Sequence, residues 1–162
     1  MLTPIVPGHE QELRDLLERY TDESSPFARL PRTHFGRWVM LDDFVHDGEQ
    51  PKPDRLTSRY LIFTSNFDGG RDSYLEELCA LPEAREIWSH CVGAPASGTT
   101  TELAKYLEHN QIRTGFFVAA YPNATVRHVK ASLEQRDALV QFAMDAQRMP
   151  PDDLKREFET RF

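Results

Sequence analysis

Six histidines, two cysteines and a scatter of aromatic residues hold most of the chemistry open to this chain. His90 lies in the run Ile87-Trp88-Ser89-His90-Cys91-Val92, where extended backbone would put Trp88, His90 and Val92 on one face. Apolar neighbours disfavour an imidazolium, so His90 reads as a candidate neutral base and Trp88 as the wall beside it. The competing reading is a packed histidine with one hydrogen bond. His34 is the second catalytic candidate. It shares a strand face with Gly36 and Trp38, where glycine leaves room for a flat group to approach. Arg37, three residues on, falls on the opposite face with Phe35 and Val39. An unpaired guanidinium is costly in apolar surroundings, so Arg37 should meet a carboxylate of the protein, of a partner or of an acidic ligand. Asn66, in the turn Ser65-Asn66-Phe67-Asp68-Gly69-Gly70-Arg71, and Tyr121, closing the run Phe116-Phe117-Val118-Ala119-Ala120-Tyr121, complete the ligand-binding candidates with Arg37 and Trp88.

Other chemistry finds less support. No HxH, HExxH or paired CxxC occurs, so no metal and no cofactor is expected. The acidic loop with Asp42, Asp43, His46 and Asp47 reads as solvated. The turn after Asn66 has two glycines but neither phosphate-binding spacing, and Asp68 would repel an anion. No serine or cysteine sits in a nucleophile elbow. Cys79 and Cys91 form no disulfide framework and read as small buried hydrophobes. The chain has 162 residues, with 19 Lys+Arg against 26 Asp+Glu and a formal charge of −7. An acidic chain is a poor polyanion binder, which excludes nucleic acid and anionic membrane as expected partners. No apolar run reaches the ~18 residues of a transmembrane helix, and the first residues lack the layout of a signal peptide, so a cytoplasmic location is expected.

The elements that must position these side chains follow from periodicity and turn chemistry. Residues 2–6 form a short apolar stretch stopped by Pro7-Gly8. Leu13, Leu16, Leu17 and Tyr20 then recur with helical spacing over about 9–20. Residues 33–41 and 59–67 read as strands, separated by a charged connection. Asp68-Gly69-Gly70 leads into a helix that Ser73-x-x-Glu76 could cap, which Pro82 ends or interrupts, and 87–92 reads as a further strand. The order β-α-β-β-α-β is that of a split-βαβ, ferredoxin-like α+β sheet with helices on one face. Residues 1–162 are expected to be one domain, with that core over 1–95 and an extension over 96–162. The extension holds a helix over about 101–110, a strand-like run over 115–121 and a long helix over about 125–147. Its stripe is Val126, Val129, Leu133, Val140 and Met144, and a tail follows with Leu154, Phe158 and Phe162 four apart.

The strands are apolar on both faces. Helices on one side leave the other to be covered, either by the extension or by a second copy, and a symmetric homodimer is the economical solution. The stretch Val6-Pro7-Gly8-His9-Glu10-Gln11-Glu12-Leu13, a strand ending in Pro-Gly and entering a helix, resembles the start of dimeric α+β-barrel proteins. That superfamily includes cofactor-free monooxygenases, polyketide cyclase-like proteins and muconolactone isomerases and, more distantly, chlorite dismutases and dye-decolorising peroxidases. The resemblance implies a fold and a mode of dimerisation, and no residue-by-residue catalytic signature. Three functions stand open. The first is a small-molecule-binding protein with an apolar pocket between sheet and helices, working as a cofactor-independent enzyme with His34 or His90 as the base and taking an apolar or acidic ligand. The second is a non-catalytic dimeric binding or accessory module. The third is a haem- or peroxide-related enzyme.

Overall fold

A computed structural model describes residues 1–21, 23–45, 48, 55–95 and 98–162. The acidic-loop residues His46 and Asp47 fall outside them. Contacts divide the chain into two units, Met1–Ala120 and Tyr121–Phe162.

The first unit is α+β. Strands β1 (Leu2–Pro4), β2 (Thr33–Leu41) and β3 (Tyr60–Phe67) form an antiparallel sheet in the order β1-β3-β2. Leu2 pairs with Ile62, and Val39 pairs with Ile62 from the other side. Both edge strands oppose β3, so β1 and β2 run parallel to each other with β3 between them, joined through helix α1 (Glu10–Glu18). Gly8 makes the turn from β1 into α1 with φ +93°, which favours a residue without Cβ.

Strand alternation decides which side chains meet the helices. Leu61 and Phe63 of β3, with Trp38 and Met40 of β2, face a core completed by Leu13 and Leu16 of α1. Helices α2 (Arg71–Ala80), α3 (Pro82–Ser89) and α4 (Thr100–His109) add Tyr74, Leu75, Leu78, Cys79, Ala84, Ile87, Trp88, Leu103 and Leu107. Four rings interlock at its centre. Phe27, from the 3-10 turn Pro26–Arg29, stacks on Trp38 at 4.5 Å, and Trp88 meets Trp38 and Phe63 edge-on at 5.8 and 5.3 Å.

The fourth strand expected over 87–92 is corrected. Pro82 occupies the first turn of α3, where its missing N–H costs nothing, and Ala84, Ile87 and Trp88 share a helical face at i, i+3, i+4. Strand character survives only as a single antiparallel bridge between Ile5 and Cys91. The sheet therefore has three strands among the described residues. The strand-like run over 115–121 is also corrected. It has no ladder, and Phe116, Phe117, Val118 and Tyr121 are exposed. The capping box is at α4 rather than α2. Thr99 Oγ1 accepts from the Glu102 N–H while Glu102 accepts from the Thr99 N–H, whereas α2 starts at Gly70 with no side-chain cap.

In the second unit, α5 (Val126–Ala146) and α6 (Pro151–Arg161) pack through Phe142, whose ring lies 5.7 Å from Phe158 and 5.8 Å from Phe162. Of the stripe with helical spacing, Val129, Leu133, Val140 and Met144 are exposed, and only Val126 and Phe142 of α5 are buried. No described helix is long and apolar enough to cross a membrane.

Both cysteines are free and buried. Burial pushes the Cys79 thiol from an ordinary 9.0 up to about 12. A folded-state value above the unfolded one means that the unfolded chain loses this proton first as pH rises. The contribution of Cys79 to stability is therefore whole below pH 9 and lost between about 9 and 12. Urea melts of wild type and Cys79→Ala should converge over that interval, and a constant difference between them would contradict this account. An aromatic-disulfide thiol reagent at pH 8 should label neither cysteine until denaturant is added.

Candidate functional site

The turn from β1 into α1 meets the end of α3 at one corner of the first unit. Val6 N–H donates to the His90 carbonyl at 2.9 Å, and Val92 N–H donates to the Pro4 carbonyl at 2.8 Å. These bonds fix His90, the residue that ends α3, beside His9, the residue that begins α1. The two imidazoles meet edge-on, with centroids 5.4 Å apart. Glu12, one helical turn beyond His9, brings a carboxylate oxygen to 3.9 Å from His90 Nδ1.

His90 is 7% exposed, whereas Glu12 keeps a largely exposed side chain. Nδ1 of His9 and Nδ1 of His90 are both buried, and neither has a hydrogen-bond partner. Donor atoms of His9, Glu12 and His90 all lie within 4.8 Å of one another. Two imidazoles and a carboxylate in this arrangement can hold a cation or pass a proton. Next to them, the carboxyl of Glu10 is held below its usual range by its own backbone N–H, with Gly8 N–H and Arg59 acting in the same direction.

His34 stands elsewhere. Its Nε2 lies 2.8 Å from Asp68, at the end of the sheet where β2 begins and β3 finishes. His90 belongs to the opposite end, beside Ile5, whose N–H donates to the Arg59 carbonyl. Eight residues of β3 at ~3.3 Å each separate those ends by roughly 25 Å, so the two histidines do not share one cavity. Near His34, the buried Tyr74 hydroxyl lies 2.6 Å from Ser65 Oγ and 3.1 Å from Thr33 Oγ1. Arg32 donates there to Ser73 and Glu77. This end is a network of satisfied polar groups. The room left by Gly36 is taken by the protein itself, because a Cβ there would meet the Phe27 ring at 2.5 Å.

Arg37 is exposed, and no carboxylate among the described residues pairs with it. Of the expected partners for Arg37, a carboxylate of the protein itself is not found among the described residues, and the expected burial is corrected. The face that Arg37 shares with Phe35 and Val39 is open to solvent, so the guanidinium keeps its water. Asn66 is exposed on the same face, one register step along. Trp88 is wholly buried, with Nε1 unpartnered, and forms part of the wall of a shallow cleft of about 190 Å³ with Arg85, Ser89 and Leu103. Tyr121 is exposed at the start of the second unit. Sequence reasoning missed His9 and Glu12. Their signal was His-x-x-Glu at a helix entry, which gains meaning only once His90 is brought beside it from about eighty residues away.

No known protein family, curated protein or solved structure matches this chain.

Proposed function

We propose that the chain is a small-molecule-binding protein of the ferredoxin-like, dimeric α+β-barrel type, in which a second copy covers the open face of the sheet. The observation that carries this reading is the composition of that face. Leu2 and Pro4 of β1, Tyr60 and Ile62 of β3, and Phe35, Val39 and Leu41 of β2 all point away from the helices. Phe35 remains 72% exposed and Val39 44%. Contiguous apolar surface of this kind marks an interaction site, and an isologous contact lets one patch satisfy both copies.

The ligand pocket in this reading lies between the facing sheets. The space between sheet and helices is filled by Phe27, Trp38, Phe63 and Trp88. Arg37 is the one charged side chain among the described residues of the open face, with Thr64 opposite it and Asn66 beside it. A two-fold contact brings two guanidinium groups into one interface, where an apolar ligand carrying an acidic group would offset their charge. A second reading, a histidine acid/base enzyme without cofactor, draws support from the two carboxylate–histidine pairs, Glu12 with His90 and Asp68 with His34.

Sedimentation equilibrium at micromolar concentration should show a species near twice 18.7 kDa. Anilinonaphthalene sulfonate, an apolar anion, should fluoresce on binding that species. Phe35→Asp should give the single-chain mass and abolish the fluorescence, while Arg37→Gln should keep the dimer and weaken dye binding several-fold. Wild-type protein sedimenting only as a single chain would overturn the proposal.

A further inference from the structure

We infer that His9, Glu12 and His90 form a binding site for one divalent transition-metal ion of the zinc class. This goes beyond association through the open sheet face and is independent of it, because the corner lies where α1 begins and α3 ends. Two observations point to a ligand. The Nδ1 atoms of His9 and His90 are both buried without a hydrogen-bond partner, and they lie at the same corner of the fold. A buried ring nitrogen with no partner destabilises the fold unless something ligates it. The third donor is a carboxylate already 3.9 Å from His90 Nδ1.

The geometry suits such an ion. Bonds of ~2.0–2.1 Å in a tetrahedron place donor atoms ~3.4 Å apart, and here they lie within 4.8 Å. The remaining contraction, up to about 1.4 Å, is within reach of side-chain rotation, and Glu12 with its 74% exposed side chain is free to turn. The histidines need not move far. His9 is set by the Gly8 turn, and His90 is held by the backbone bond from Val6 and by the Ile5–Cys91 bridge. Two imidazoles and one carboxylate are the donor set of zinc sites that keep a fourth position for water, and of 2-His-1-carboxylate ferrous sites. Hard cations such as magnesium prefer oxygen donors throughout and are not expected to bind. Three protein donors leave a fourth position that would take a water or a small anion.

Equilibrium dialysis of the full, tag-free chain against Zn²⁺, anaerobic Fe²⁺ and Mg²⁺ tests the site, with Co²⁺ as a spectroscopic stand-in. The expected result is one Zn²⁺ or Fe²⁺ per chain, no Mg²⁺, and visible ligand-field bands from Co²⁺. Zinc affinity should fall as pH is lowered, because protons compete for the imidazoles. Glu12→Gln, at an exposed position, and His9→Ala, at a half-buried one whose folding is checked by circular dichroism, should each weaken zinc by at least the 10–100-fold that loss of a mere orienting partner causes. His109→Gln, on α4, should change nothing. Absence of stoichiometric zinc or iron at micromolar concentration would overturn the proposal, as would zinc uptake unchanged by both Glu12→Gln and His9→Ala. Dimerisation measured on the same samples tells failure of this site apart from failure of the sheet interface.

Discussion

Trp88→Ala should destabilise the first unit by about 3–5 kcal/mol, the range for deleting a large aromatic from a packed core. Trp88 is fully buried, and its ring contacts Trp38 at 5.8 Å and Phe63 at 5.3 Å in edge-to-face geometry. Truncation removes burial and two favourable ring contacts, and leaves a cavity that neighbours on a sheet and a helix close only in part. The indole Nε1 makes no hydrogen bond, so Trp88→Phe loses volume but no polar partner. That variant should cost clearly less than the alanine, near the ~1–3 kcal/mol of modest core repacking. Urea unfolding followed by far-UV circular dichroism measures both, and equal losses for the two variants would contradict a packing origin.

Gly36→Ala should cost about 1–3 kcal/mol although it adds a single carbon. The new Cβ would lie 2.5, 2.6 and 2.8 Å from three atoms of the Phe27 ring. The ring cannot simply swing aside, because it stacks on Trp38 at an interplanar angle of 18° and lies 6.2 Å from Phe63. In a Phe27→Leu background the same substitution should be tolerated much better, giving a coupling of the size seen between residues in direct contact, about 0.5–3 kcal/mol. Additive effects would show that the glycine is required for some reason other than the ring.

The sequence reveals those parts of the fold whose local pattern and final environment agree. β2 over 33–41 and β3 are rich in aromatic and β-branched residues, and α1 and α4 carry the helical period. Residues 87–92 mislead because Ile, Trp, Cys and Val favour strands, while Pro82 and the Ala84–Ile87–Trp88 spacing, which favour a helix, lie mostly upstream. That error also hid the candidate site, since His90 joins His9 and Glu12 only when it terminates a helix. In α5 the helical spacing of Val126, Val129, Leu133, Val140 and Met144 does not name the packing partner, which is the aromatic trio Phe142, Phe158 and Phe162. Arg37 lies on the face its position in the strand requires, but that face is open to solvent. Periodicity assigns a side chain to a face and says nothing of what covers it.

The place of β3 between β1 and β2 bears on how the protein is made. β1 leaves the ribosome before β3, and the strand it pairs with lies sixty residues downstream, Leu2 opposite Ile62. At synthesis rates of about 5–20 residues per second, Leu2 and Ile5 wait for several seconds before any β-partner exists. α1, with only nine residues, is too short to be stable alone during that interval. The nascent chain therefore presents β1 without a sheet partner until β3 emerges. Pulse-labelled amide exchange on stalled chains should find β1 unprotected at every length that ends before β3, and protected together with β2 once β3 is out.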